Sequence, residues 1–330
     1  MRIFPLAAAA IGLTLAAGPA AADSYRLSLS TWGSPKHPQV SHFVPEFTKL
    51  VGERSDGRIK FRTFEGGEMV KQQFVPTAVP QGTVDISLTT LDNWSGRISD
   101  VTILTTPLWT RSMKDTLGAL KPGQPIFDYF DKKLREQGAI LLCAFDIGPP
   151  VLSTSFPIEH PSDLAGKKIR VYSKGAGQMM QALKAAPTTM SVGEVYSALQ
   201  RGTVDGAIGG LQGAVGLKHF EVTKYMLAPM GALGTLIHAY VMNKDKFESM
   251  PEDLQKIVME SAAEARDAMQ GYIIDKYGDF VDQVRKHGNT VTVLEAGTPG
   301  YDEWRNALQG VNDEARRTYP KELVELIETK

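Results

Sequence analysis

The chain is short of several things, and each shortage removes a class of function. It has one cysteine, Cys143, in 330 residues, so an intramolecular disulfide and a Cys-x-x-Cys motif are both excluded. That cysteine lies in Ala139-Ile140-Leu141-Leu142-Cys143-Ala144-Phe145, an apolar run that reads as a buried strand holding an inert thiol. Neither sign of charge is in excess, with 36 Lys+Arg against 37 Asp+Glu, which argues against a nucleic-acid binder. Beyond the N-terminus no apolar stretch is long enough to span a bilayer. Enzyme signatures are missing as well: there is no Gly-x-Ser-x-Gly, no Walker loop and no His-Glu-x-x-His. Gly206-Ala207-Ile208-Gly209-Gly210 is glycine-rich but lacks the lysine and Ser/Thr of a phosphate loop. His37 and His42 read as ordinary polar histidines rather than metal ligands. Glu65-Gly66-Gly67-Glu68 reads as a polar turn rather than a carboxylate pair. The expectation is a protein that is not an enzyme, with no metal and no cofactor.

What is present begins with an export signal. Met1-Arg2 is a short positive start, Ile3 to Ala17 is mostly apolar, and Ala20-Ala21-Ala22 is a small-residue cleavage site. Residues 1–22 are therefore expected to be a signal peptide, cleaved near Ala22, with the protein exported. Length then allows one large or two medium domains.

Gly-Thr-Val-Asp occurs twice, at Gly82–Asp85 and at Gly202–Asp205. Each copy follows a helical stretch and precedes a β-branched, apolar run. Each glycine suits a left-handed helix end. Either a supersecondary unit has been built twice, once in each of two similar lobes, or a four-residue identity has arisen by chance.

The grammar around the copies is α/β. Strands are expected at Tyr25–Ser30, Gly57–Phe64, the Cys143 run and Lys168–Val171. Helices are expected at His42–Glu53, Met69–Gln81, Ile126–Gln137, Gly175–Ala185 and Ser191–Gln200. Pro149-Pro150 should carry the chain between lobes. From Pro251 to about Arg285, Leu254, Val258, Ala262, Ala265, Met269, Ile273, Tyr277, Phe280 and Val284 keep helical spacing. Unbroken, that helix would be roughly 50 Å long at 1.5 Å per residue, enough to brace both lobes. Gly271 and Gly278 leave a bend open.

One stretch is more specific. Asp163-Leu164-Ala165-Gly166-Lys167-Lys168-Ile169-Arg170-Val171 is followed by Pro187-Thr188-Thr189-Met190. Glu194-Val195-Tyr196-Ser197-Ala198-Leu199-Gln200-Arg201-Gly202-Thr203-Val204-Asp205-Gly206 comes next. Together these resemble the periplasmic solute-binding subunits of TRAP transporters, the DctP-type family, and the likeness covers essentially the whole chain after the signal. It implies a two-lobe α/β periplasmic binding protein with discontinuous lobes: 23–147 and 235–275 in lobe I, 148–234 and 276–330 in lobe II. It also implies a long helix spanning both, a small organic acid as ligand, and a membrane permease as partner. A monomer and a dimer formed through Asp302 to Glu328 both remain open.

The resemblance assigns Arg170 to the ligand carboxylate, which a planar guanidinium fits with two parallel donors. It places Trp32, Thr90 and Val192 at pocket positions, with Asn93 and Trp94 just beyond Thr90. For Trp32 an aromatic wall and core packing are both open. The chain also departs from the family. Many relatives carry a second arginine aligned near Pro150, and an asparagine where the run here is Ala207-Ile208-Gly209-Gly210, with Gln212 close behind. Polar anchors have thus been lost at Pro150 and Gly209 while one cation is kept. The expected ligand is a monocarboxylate with an apolar, aromatic or hydroxylated body. The competing readings are a ligand-presenting partner of a membrane sensor and an exported hydrolase or lyase.

Overall fold

The computed structural model describes residues 24–109 and 112–328, so the expected signal peptide lies outside the described residues. Among the described residues eleven strands form two sheets. The first is built from β1 (Tyr25–Ser30), β2 (Ile59–Phe64), β3 (Ile86–Thr90) and β4 (Ala139–Asp146), with a late strand, β10 (Ile237–Asn243), inserted between β3 and β4. The second takes β5 (Pro150–Thr154), β6 (Lys168–Val171), β7 (Ala186–Thr189), β8 (Gly206–Gly210) and β9 (Tyr225–Ala228), with β11 (Thr290–Val293) on its edge. In space the orders are β2-β1-β3-β10-β4 and β11-β9-β5-β8-β6-β7. In each sheet the strands flanking the repeat are parallel (β1 with β3, β6 with β8), and one crossing strand is antiparallel (β10 with β3 and β4, β5 with β8 and β9).

This is a two-lobe fold, and each lobe is discontinuous. The chain leaves the first sheet through Ile147-Gly148-Pro149 and returns through residues 229–236. The two crossings are tied together where Ile147 N–H donates to the Leu236 carbonyl (3.2 Å). The Gln212 side-chain amide also donates to the Ile147 carbonyl. A third crossing is the helix Glu252–Lys286, 35 residues long and unbroken at Gly271 and Gly278. Its Leu254, Val258, Ala262, Ala265 and Met269 pack with Phe43 and Phe47. Tyr277, Val281 and Val284 pack with Val151, Leu211 and Phe220. One apolar stripe at helical spacing therefore serves both lobes.

The C-terminus corrects the expected boundaries. Residues 276–330 were all expected with the second lobe, but the last helix, Lys321–Glu328, returns to the first. Leu323, Val324 and Ile327 are buried among Ile126, Phe127 and Phe130, which belong to the helix Pro125–Glu136. The two preceding helices stay with the second lobe. Trp304 is buried, and its Nε1 donates to the Glu159 carbonyl (3.0 Å).

The repeat is a structural unit in both lobes. Gly82 (φ 70°) and Gly202 (φ 67°) are left-handed. Thr83 N–H donates to the Ala78 carbonyl and Thr203 N–H to the Ala198 carbonyl, both at 2.9 Å, closing the two helix ends alike. The Asp85 carboxylate accepts from Ser28 N–H (2.7 Å) on β1. The Asp205 carboxylate accepts from Lys168 N–H (2.8 Å) on β6. Each aspartate thus clamps the neighbouring parallel strand, and Asp205 holds the strand that carries Arg170.

Two expected helices are shorter than the apolar spacing suggests. Met69–Gln81 becomes a 3-10 turn, Gln72–Phe74, followed by Val75–Ala78, because Pro76 can only enter at a first turn. Ser191–Gln200 likewise begins as a 3-10 turn, Val192–Glu194, before Val195–Gln200.

Candidate functional site

The C-terminal ends of the parallel strands β1, β3, β6 and β8 face one another across the lobe boundary, where open α/β sheets place ligands. Between them lies a cavity lined by residues of both lobes and open at its mouth. The first lobe contributes Trp32, His37 and Gln39 after β1, Gln72, Thr90 at the end of β3, and His238 on β10. The second contributes Ser153, Arg170, Tyr172, Val192, His219 and the glycine run of β8.

Arg170 sits on β6 opposite Thr188 and Ala207 and is only 4% exposed. Its Nε and Nη2 donate to the Met190 carbonyl (3.2 and 3.0 Å), and its Nη1 to the Ile208 carbonyl (3.5 Å). A guanidinium has five N–H donors, so one hydrogen on each Nη is left over. Among the described residues no carboxylate pairs with it. Glu194 is close enough to be felt, but its carboxylate is bonded to Ser191 N–H (2.9 Å) and Oγ (2.5 Å). Burial pulls the Arg170 pKa down to about 10, which still leaves it charged at neutral pH. A buried cation held only by neutral carbonyls is costly unless an anion joins it.

Glycine on β8 keeps the space beside this cation open. A Cβ on Gly209 would lie 3.9 Å from Arg170 Nη1, and one on Gly210 would strike Ile147 Cδ1 at 2.6 Å. The opposite wall is aromatic and imidazole. Trp32 stands edge-on to His37 (centroids 5.7 Å apart) and to His238 (5.2 Å). Burial holds His238 down to about 3 and lowers His37. Burial, with the nearby Arg170 charge, brings His219 to about 4. All three imidazoles are therefore neutral at pH 7.

Of the residues expected at the site, the structure brings together Arg170, Trp32, Thr90, Val192 and Gly209. Asn93, Trp94, Pro150 and Gln212 are not on the wall. Trp94 is fully buried in the first lobe's outer core with Val75, Val101 and Ile103. Asn93 shares its 3-10 turn, Leu91–Gly96, which follows β3. On β5, Val151 and Ser153 line the cavity, so strand alternation turns Pro150 and Leu152 to the other face. Gln212 is used at the lobe crossing. The sequence reading missed His37, Gln39, Gln72, Ser153, Tyr172, His219 and His238. Tyr172 was within reach of it, lying two residues beyond Arg170 and so on the same face. His238 was not, because it enters only through the pairing of β10 with β3, which sets it opposite Thr90.

Residues 29–318 match the DctP family, bacterial extracellular solute-binding protein family 7. The chain belongs to this family. It is a family of solute receptors of transporters, not of enzymes. The C4-dicarboxylate-binding periplasmic protein DctP of Rhodobacter capsulatus is 26% identical over 316 residues, covering 95% of this chain and 93% of that one. Among solved structures, DctP7, a Bordetella pertussis extracytoplasmic solute receptor binding pyroglutamic acid, superposes with a TM-score of 0.84 at 17% identity, covering 93% of this chain and 100% of that one. A TRAP periplasmic solute-binding protein from Sulfitobacter sp. NAS-14.1 with bound β-D-galacturonate gives 0.83 at 22% identity, covering 92% and 99%. At these identities the likeness to the solved structures is one of fold. Within this family 7 fold, the cavity and its cation lie between the lobes.

Proposed function

We propose that this family 7 protein is the periplasmic receptor of a TRAP transporter. It closes its two lobes on a small organic monocarboxylate held by Arg170 and delivers it to a membrane permease. The observation that carries the reading is the Arg170 guanidinium: buried, charged, bonded only to the Met190 and Ile208 carbonyls, and facing a cavity between the lobes. An anion with two oxygens in one plane supplies what the two remaining N–H groups need. Trp32, Thr90, Val192 and the open space over Gly209 shape the rest of the ligand, whose body is apolar, aromatic or hydroxylated. The relatives support the class of ligand, since their names and titles give a C4-dicarboxylate, pyroglutamic acid and galacturonate.

In this reading residues 1–22 direct export and are removed near Ala22. The first lobe is 23–147 with 235–275 and the last helix, and the second is 148–234 with 276–320. Asp92, in the first lobe, accepts from Gly175 N–H (2.9 Å) at the start of the second lobe's helix Lys174–Ala182. That bond is a closing contact, with a carboxylate on a helix N-terminus.

The test is a thermal-shift screen of purified protein against organic acids, sugars and amines. Acids should raise the melting temperature by binding the folded state. A response confined to sugars or amines would overturn the assignment, as would turnover of a bound acid.

A further inference from the structure

We propose that His37, His219 and His238 determine specificity, forming a neutral imidazole wall that admits an acid with one carboxylate and hydroxyl or oxo groups and rejects a second carboxylate. The proposal rests on the reading of Arg170 as the carboxylate anchor.

Arg170 is the one fully charged side chain among the described residues lining the cavity. Lys71 lies in the adjoining groove at the mouth, with Ser34 and Ser191, rather than on the inner wall. A second carboxylate deep in the cavity would lose its hydration and meet no cation.

Seven polar atoms, His37 Nε2, His219 Nε2, His238 Nδ1, Tyr172 OH, Ser153 Oγ, Gln39 Oε1 and Trp32 Nε1, are buried and have no hydrogen-bond partner among the described residues. All seven belong to residues on the cavity wall. Native proteins seldom leave such groups unsatisfied, because a buried polar atom without a partner loses its hydration for nothing in return. Trp32 Nε1 can only donate, whereas imidazoles and hydroxyls donate or accept according to tautomer and rotor. A ligand hydroxyl, itself donor and acceptor, suits this mixture. A carbon chain of the same size leaves every one of these atoms unpaired.

His219 faces Arg170 and His37, and His238 faces His37 with Trp32 edge-on. His37 has Lys36 beside it and its Nδ1 3.3 Å from the Ser34 carbonyl. Tyr172 faces Arg170, with Asp92 and Asp146 within electrostatic reach, and burial keeps its hydroxyl protonated. Among the described residues no carboxylate contacts the three rings, so a proton on any of them is unfavoured in the closed state unless the ligand brings negative charge. When the lobes open, the hydrated rings return towards about 6.5. Closing on a hydroxylated monocarboxylate then expels protons below that pH, so its affinity falls as pH drops from 7.5 to 5.5. A dicarboxylate can keep a proton on one ring, so its affinity falls less over the same interval.

Calorimetry on the wild-type protein tests this with two trios of equal carbon number: threonate, butyrate and succinate; gluconate, hexanoate and adipate. At pH 7.5 the hydroxylated member should bind at least tenfold tighter than its two companions, and its lead over the dicarboxylate should shrink at pH 5.5. His219→Phe and His238→Phe should each reduce the preference of hydroxylated over apolar acid to less than half its wild-type value. His238→Asn, which restores a hydrogen-bonding group, should lose less. Equal affinity within a trio at pH 7.5 would overturn the proposal, and so would a preference unmoved in both Phe variants. Failure of the anchor reading looks different: either no acid in the two trios binds, or Arg170→Met binds the hydroxylated acid as tightly as wild type.

Discussion

Replacing Arg170 with methionine removes the cation while keeping a side chain of similar length. The two N–H groups left free by Met190 and Ile208 would each make a charge-assisted bond to a carboxylate, worth about 1.5–3 kcal/mol. Losing both raises Kd by roughly 10²–10⁴-fold, at about 1.4 kcal/mol per factor of ten. Ligand at 100 times the wild-type Kd stabilises the folded protein by about 2.7 kcal/mol. That is a rise of roughly 5–10 °C in Tm at about 2–4 °C per kcal/mol. At the same ligand concentration the variant should gain about 1 °C or less, because its sites are at most half filled. Differential scanning fluorimetry, with calorimetry for Kd, reads both numbers. A variant that keeps the full thermal shift would show that the acid is held elsewhere and that the buried guanidinium has a purely structural role.

Other outcomes follow from the same contacts. Asp146, buried where the first lobe's sheet ends, has its carboxyl pushed up to about 7 by burial, against the pull of the Gly148 and Leu236 backbone. An acid with a raised folded pKa binds more protons folded than unfolded between about pH 4 and 7, so stability is lost as pH rises through that window. Asp146→Asn should therefore flatten the decline in urea stability between pH 5 and 8, and an unchanged decline would contradict the assignment. Gly148 is left-handed (φ 95°), and a Cβ there would come within 3.0 Å of Tyr277 on the long helix. Gly148→Ala should cost at least about 1–2 kcal/mol in urea unfolding. The two repeat aspartates should differ in weight. Asp85→Ala loses bonds to both Ser28 N–H and Oγ (2.7 Å each), about 2–4 kcal/mol, whereas Asp205→Ala loses one more exposed bond, about 1 kcal/mol. Asp92→Ala should weaken ligand affinity by several-fold with little change in the unliganded melting temperature, if its bond to Gly175 belongs to the closed state.

Much of the fold was legible because its signals are local. The strand periods, the helix stripe from Leu254 to Val284 and the left-handed glycines at 82 and 202 each act within a few residues of chain. The proline connector at Pro149-Pro150 located the crossing for the same reason. What stayed hidden depends on partners distant in sequence. The return of Lys321–Glu328 to the first lobe requires knowing that Phe127 and Phe130 leave a groove for it. The site divided along the same line. Arg170, Val192 and Gly209 fall in or beside the diagnostic motif and reached the cavity. Trp94 and Gln212 were placed near it by adjacency, and a 3-10 turn and a lobe crossing took their side chains elsewhere. The imidazole wall assembles from a loop, a 3-10 turn and β10, three elements separated by up to two hundred residues. His37 looked like an ordinary polar histidine because the cavity it lines is closed by β10 and the second lobe, which are distant in sequence.

The most direct measurement is a crystal structure of the protein closed on a bound acid identified from the calorimetry. The account predicts a ligand carboxylate within about 3 Å of both Nη atoms of Arg170, with the lobes shut and the ligand's remaining oxygens on His37, His219 or His238. A ligand whose carboxylate lies elsewhere, with Arg170 bonded only to Met190 and Ile208, would contradict it.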